Sequence, residues 1–225
     1  MFDRIAPRYD LLNRLLSAGI DVRWRRAAVD ALALPAGGRV LDLCTGTADL
    51  LIESLLRDAD RRGLGLDLSA EMLVRGREKL RRRGLLPRAA LLGGDAAVLP
   101  VRTASVDGAL VAFGIRNVTQ PLSALREVHR VLRAGGALVV LEFALPPGRL
   151  GRLYRFYFGS VLPRLGGLIS GDRGAYAYLP ASVERFATPQ ELASLMQQAG
   201  FADLVSRPLT GGVAYLHRGV KGSAA

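Results

Sequence analysis

A chain of 225 residues, half of them hydrophobic, is long enough for one well-cored domain with an insertion and too short for two ordinary domains. Its single cysteine, Cys44, excludes an internal disulfide, and two distant histidines, His129 and His217, offer no metal-ligand spacing. No apolar run approaches the roughly 20 residues of a membrane span, and Met1-Phe2-Asp3-Arg4 has no signal-peptide core, so a cytosolic protein without metal or redox chemistry is expected.

Apolar positions at Ile5, Leu11, Leu12, Leu15, Leu16, Val29 and Leu32, interrupted by Pro7 and Gly19, predict two helices within residues 1–36. Turn chemistry at Leu34-Pro35-Ala36-Gly37-Gly38 leads into a strand over 39–44 and a helix over 49–57. A second strand covers 63–67. Ser69 is placed to cap a helix running to Arg83, with Gly84 to end it. Further strands are expected over 89–93 and 106–112. Thr119 can cap a helix whose Leu122, Leu125, Val128 and Leu132 share a face, before Gly135-Gly136 stops it and a strand follows over 137–143. Strands that alternate with helices and are apolar throughout imply a parallel sheet covered on both faces.

Residues 146–180 break this rhythm with Pro146-Pro147-Gly148, a Tyr/Phe-rich piece and several glycines, and read as an inserted lid. Thr188-Pro189-Gln190-Glu191 has capping-box spacing, and its helix should end at Gly200. Two last runs, 202–207 and 212–216, joined through Leu209-Thr210-Gly211, fit an antiparallel hairpin. The formal charge of +11, mostly arginine, points to an anionic partner surface or to a solvated face. Its densest clusters are Arg23-Trp24-Arg25-Arg26 and 75–83, the second where cations suit the negative pole of a helix.

Ligands of an open parallel sheet bind beyond the carboxyl ends of its strands. The small-residue turn Cys44-Thr45-Gly46-Thr47-Ala48 lets a ligand approach the backbone and the N–H groups of the next helix. Asp67, 21 residues beyond Gly46, is placed either to accept ribose hydroxyls or simply as a polar loop residue. Asp95 either receives an amino group of a base or sits in a solvated turn. Phe113-Gly114-Ile115-Arg116-Asn117 sets two strong donors at the mouth of the cleft. Arg116 can stabilise an oxyanion there or pair with a carboxylate, and Asn117 can cap a turn. Glu142-Phe143 ends the fifth strand, and Tyr176 and Tyr178 line a pocket or a core.

The chain resembles the menaquinone and ubiquinone C-methyltransferases nearly end to end. The words that carry the likeness include Phe2-Asp3-Arg4-Ile5-Ala6-Pro7-Arg8-Tyr9-Asp10, the turn from Asp42 to Leu50, Asp67-Leu68-Ser69-Ala70-Glu71-Met72-Leu73, Phe113-Gly114-Ile115-Arg116-Asn117-Val118, Tyr176-Ala177-Tyr178-Leu179 and Leu209-Thr210-Gly211-Gly212-Val213-Ala214. The resemblance implies one Rossmann-like class I methyltransferase domain over residues 1–225: α/β, with a seven-stranded, mostly parallel sheet, a C-terminal antiparallel hairpin and the lid. It implies S-adenosylmethionine as cofactor, with contacts at Asp42, Cys44, Gly46, Thr47, Asp67, Leu68, Asp95, Ala96 and Ala112 and no metal. Arg116 and Asn117 would be catalytic, and Phe113, Tyr176 and Tyr178 would meet the substrate. That substrate would be a polyprenylated quinol, demethylmenaquinol before the benzoquinol precursor of ubiquinone, met at the inner face of an anionic membrane. A nucleic acid partner is disfavoured, and a homodimer is left open. This chain departs from the family habit in having Ala48 for a third glycine and Ala112 for a serine, and it starts directly at the Phe-Asp word.

Overall fold

A computed structural model describes residues 19–146, 148, 151 and 181–222. The first expected helix, Tyr176, Tyr178 and nearly all of the lid lie outside these residues.

The first described element, α1 (Ile20–Leu32), buries Trp24, Ala28, Val29 and Leu32, the stripe that helical spacing predicts. Alternation then follows with β1 (Arg39–Leu43), α2 (Asp49–Leu55), β2 (Arg62–Asp67), α3 (Ala70–Arg82), β3 (Ala89–Gly93) and β4 (Val106–Ala112). It ends with α4 (Pro121–Val131), β5 (Leu132–Phe143), α5 (Pro189–Gln198), β6 (Phe201–Leu209) and β7 (Ala214–Lys221). The seven strands form one sheet in the order β3-β2-β1-β4-β5-β7-β6. β1 pairs with β2 and β4, β2 with β3, and β4 with β5, all in parallel; β7 runs antiparallel to both neighbours. The α/β class, the mostly parallel sheet and the terminal hairpin are therefore as the sequence predicts.

Period-two alternation divides the core into two layers. Leu41, Leu43, Ala109, Val111, Leu138 and Val140 pack with α4 and α5, whereas Val40, Leu110, Val139 and Leu141 pack with α1, α2 and α3. The order reverses at β1, which lies between β2 and β4, so the crevice beyond the carboxyl ends of these strands is the place where an open α/β sheet receives a ligand.

Local caps explain the helices whose ends were legible. Ser69 Oγ accepts from Met72 N–H at 3.2 Å, and Gly84 leaves α3 at φ +68°. Thr188 and Glu191 form the full capping box. Two other ends differ from expectation. Thr119 does not cap α4; Gln120 is its N-cap, and its side chain accepts from Ser123 Oγ at 3.2 Å instead of from a helix N–H. Nor do Gly135 and Gly136 stop that helix. It ends at Val131 and β5 starts at once, because Lys221 Nζ donates to His129 O and Leu132 O, each at 2.8 Å, and closes off the last turn. The two glycines fall in a register shift of β5, where Val106 pairs with Leu132 but Gly108 pairs with Ala137. Helix α2 likewise stops at Leu55 and not Arg57, since Arg61 and Arg88 each donate from Nη1 to its last carbonyls, those of Ser54 and Leu55.

Candidate functional site

The turn from β1 to α2 is held in a left-handed backbone at three positions: Cys44 at φ +54°, Gly46 at +54° and Ala48 at +65°. Only Gly46 adopts this region without steric cost. Side chains of the turn supply the compensation. Asp42 Oδ2 accepts from the Thr45 hydroxyl at 2.6 Å and from Leu51 N–H at 3.1 Å, tying strand, turn and helix together. Burial raises the Asp42 carboxyl from 3.8 to about 7, against the pull of those two hydrogen bonds and helped by the charges of Asp67 and Asp49. Asp42 thus braces the cradle from beneath. Thr47 is buried too, and its hydroxyl accepts from Lys79 Nζ at 2.8 Å, while Lys79 also binds Asp49 at 2.6 Å. A Cβ built on Gly46 would meet nothing within 4 Å, so its outer face is open to a ligand. The missing third glycine is displaced in space: Gly76 of α3 stands where a Cβ would come within 3.2 Å of the Ala48 methyl.

Asp67 forms the lip of this cradle. Its Oδ2 accepts from Gly46 N–H at 2.7 Å and its Oδ1 from Ser69 N–H at 2.9 Å, so the carboxylate is oriented by two amides. Each oxygen keeps a lone pair for a ribose hydroxyl. Of its two readings the structure displays the loop residue, held by these two amides, with acceptor capacity left over on the carboxylate. Asp95 is exposed, with Oδ1 accepting from Ala97 N–H at 2.9 Å, beside the buried Ala96. At the same corner Leu68 and Val98 are 76% and 74% exposed, unusual for aliphatic side chains and suited to the faces of a flat base. Open glycine, diol acceptors and uncovered aliphatics fit a nucleoside cofactor.

The second word of the site follows β4. Phe113 takes φ +55°, and Ile115–Asn117 form one 3-10 turn anchored by the fully buried Ile115. Gly114 is required by contact: an added Cβ would overlap Cys44 Cβ, so the two words interlock. Burial pushes the Cys44 thiol above its ordinary range, with the charges of Asp67 and Asp42 adding to the effect. Phe113 stacks on Phe143 at 4.3 Å between centroids, and Trp24 closes on both rings at about 6 Å while donating from Nε1 to Thr210 Oγ1 at 2.9 Å. Ala112, the last residue of β4, is half-buried against the same layer of the core.

Of the two readings of Arg116, the structure displays the carboxylate pair. Nη1 donates to Glu142 Oε1 at 2.7 Å and to Phe113 O, and Nε donates to Ser182 Oγ at 3.3 Å. The guanidinium carbon lies 5.5 Å from the Phe143 ring centroid. Nη2 has no hydrogen-bond partner among the described residues, which leaves one N–H₂ group for an external oxygen. Asn117 N–H donates to Gly114 O at 3.0 Å, as a turn residue does. Four contributors were given no site role by the sequence: Lys79 is 32 residues from Thr47, Ser182 is 66 from Arg116, and Trp24 is 186 from Thr210. Glu142 was legible as a strand end but not as the partner of Arg116.

The reversal at β1, the cradle with its lip carboxylate and the donors beyond β4 define a Rossmann-like domain of the methyltransferase type. A model of the ubiE/COQ5 methyltransferase family matches residues 1–221, and the chain belongs to that family. It is 50% identical to a demethylmenaquinone methyltransferase of Thermus thermophilus over 220 residues, 97% of this chain and 99% of that one. It is 49% identical to a ubiquinone/menaquinone biosynthesis C-methyltransferase of Syntrophotalea carbinolica, over 98% of this chain and 92% of that one. Among solved structures, a SAM dependent methyltransferase from Aquifex aeolicus superposes with a TM-score of 0.64 at 17% identity, covering 88% of this chain and 89% of that one, a likeness that shows the fold alone.

Proposed function

We propose that the enzyme transfers the methyl group of S-adenosylmethionine to a ring carbon of demethylmenaquinol, giving menaquinol. The near end-to-end match to the Thermus thermophilus methyltransferase carries this reading. When bound, the cofactor supplies an electrophilic methyl group on a sulfonium. The protein's part is positioning and electrostatics. Asp67 accepts from the ribose hydroxyls, Gly46 lets the ligand lie against the turn, and Asp95 with Ala96 and Leu68 receives the base. Arg116 stabilises the phenolate form of the quinol, whose electron density moves onto the attacked carbon, while a water oriented by Asn117 takes the hydroxyl proton. The methyl–sulfur bonding pair returns to sulfur, leaving a neutral thioether, and the hydrogen of the attacked carbon leaves as a proton to restore the aromatic ring.

The quinol's prenyl tail requires access to a bilayer, yet among the described residues no helix is long and apolar enough to cross one. Docking to an anionic surface through the +11 charge meets that need. The arginines at the C-terminal end of α3 are disfavoured for it, since that helix runs from the carboxyl end of β2 to the amino end of β3, away from the site. The Syntrophotalea carbinolica relative, whose name joins both quinones, motivates the second reading, methylation of the ubiquinone-pathway benzoquinol.

Labelled S-adenosylmethionine, offered with demethylmenaquinol or with the benzoquinol, tests the reading. Transfer to demethylmenaquinol is expected to be the faster. Folded enzyme that binds the cofactor by calorimetry but labels neither quinol overturns it, and absence of binding heat identifies an inactive scaffold. Co-sedimentation with acidic-lipid vesicles at low salt tests the docking.

A further inference from the structure

A buried ion pair is a poor stability device, because desolvating both charges offsets their attraction, and an apolar pair of the same volume does as well or better. The Arg116 and Glu142 side chains are nevertheless only 7% and 2% exposed. The geometry of the pair indicates another use. Glu142 grips Arg116 at both ends, Oε1 accepting from Nη1 at 2.7 Å and Oε2 from the backbone N–H at 3.4 Å. Oε1 also accepts from Phe143 N–H at 2.8 Å, which fixes the carboxylate to its own strand. Residue 142 lies near the carboxyl end of β5, paired with Tyr215 of β7, so the grip is mounted on the sheet and not on a loop. Phe113 O, Ser182 Oγ and the Phe143 ring hold the same guanidinium from other sides.

We infer that Glu142 is a positioning residue for methyl transfer: its carboxylate fixes the plane of the Arg116 guanidinium so that Nη2, and no other nitrogen, is presented to the substrate oxygen. The inference rests on the proposed action of Arg116 on the quinol. A guanidinium is a rigid fork, so holding Nη1 and Nε determines where Nη2 points. Shortening the acceptor by one methylene in Glu142→Asp preserves the charge but cannot keep both the Arg116 and Phe143 contacts. Loss of register on that scale costs about 100-fold in turnover.

The test is a double-mutant cycle read as kcat, KM for demethylmenaquinol, cofactor binding by calorimetry and Tm. Arg116→Gln should abolish most turnover. Glu142→Asp and Glu142→Gln should lower kcat about 100-fold with cofactor binding unchanged. In the Arg116→Gln background, Glu142→Gln should cause no further loss of kcat, since its effect passes through the arginine, and the neutral pair should regain Tm relative to Glu142→Gln alone. If Glu142→Gln does not fold, Glu142→Asp and the neutral double variant carry the comparison. Wild-type kcat in Glu142→Asp, with Arg116→Gln inactive, overturns the positioning role alone. A further loss of kcat in the Arg116→Gln background also overturns it, because Glu142 would then act independently. Full turnover in Arg116→Gln removes the proposed role of Arg116 and the inference with it.

Discussion

At the scale of single residues, the site is built from exchanges between neighbouring atoms. Cys44 and Gly114 belong to words 70 residues apart, yet the space for one sulfur-bearing side chain exists only because the other position lacks a Cβ. Gly114→Ala should therefore cost about 1–3 kcal/mol as overpacking, and should lower turnover further by pushing the 3-10 turn that carries Arg116. Cys44→Gly adopts the φ of +54° without strain and removes the clashing carbon, so the double variant Cys44→Gly/Gly114→Ala should recover most of both losses. Urea denaturation and kcat on the two single variants and the pair check this. Strictly additive losses would mean that the contact is not what requires the glycine. The identity of Gly114 stood out in the sequence as part of a family word. Its reason did not, because it depends on a residue that only the fold brings near.

Among whole elements, legibility followed the range of the interaction that ends each one. The box at Thr188 and Glu191 lies within four residues, and both its spacing and its outcome could be read directly. The end of α4 is set by Lys221, 90 residues downstream of Val131, and sequence spacing pointed instead to Gly135-Gly136. In the same way the cradle, the lip carboxylate and the alternation of strands with helices follow from local pattern, whereas the Arg116–Glu142 pair and the Lys79 brace need the assembled sheet. Two substitutions compare the cases. Thr188→Ala should cost about 1 kcal/mol and fray only the first turn of α5. Lys221→Met should cost about 1–3 kcal/mol by leaving carbonyls of α4 without their charged donor. Hydrogen exchange should show protection lost at 129–132 as well as along the β7 edge. Unchanged exchange at 129–132 would assign the helix end to β5 pairing alone.

For the whole molecule, two buried groups oppose each other in their dependence on pH. Burial lowers His217 from 6.5 to about 4, with Ser206 Oγ 2.8 Å from its Nδ1. Between those values the unfolded chain binds the extra proton, so stability rises with pH across that window and is lost as pH falls toward 4. Asp42, raised from 3.8 to about 7, does the reverse: the folded state binds the extra proton, and stability present at low pH is lost as pH rises through 7. Converted at about 1.4 kcal/mol per unit, the spans correspond to upper bounds of about 3 kcal/mol for His217 and about 4 for Asp42. The two slopes oppose each other from about pH 4.5 to 6.5, and His129, lowered by burial and then by the Lys221 charge, adds to the rising side, so the wild-type urea midpoint should rise only gently there. His217→Gln removes the rising term, and its stability should fall by a few kcal/mol between pH 4.5 and 7. Asp42→Asn keeps an acceptor for Thr45 and Leu51 while removing the falling term, so its stability should climb over the same range. Urea titrations of the three proteins at matched pH values decide the matter. A steep wild-type slope, or variants as flat as the wild type, would show that the brace under the cofactor cradle and the histidine of β7 are not the opposed pair that burial makes them.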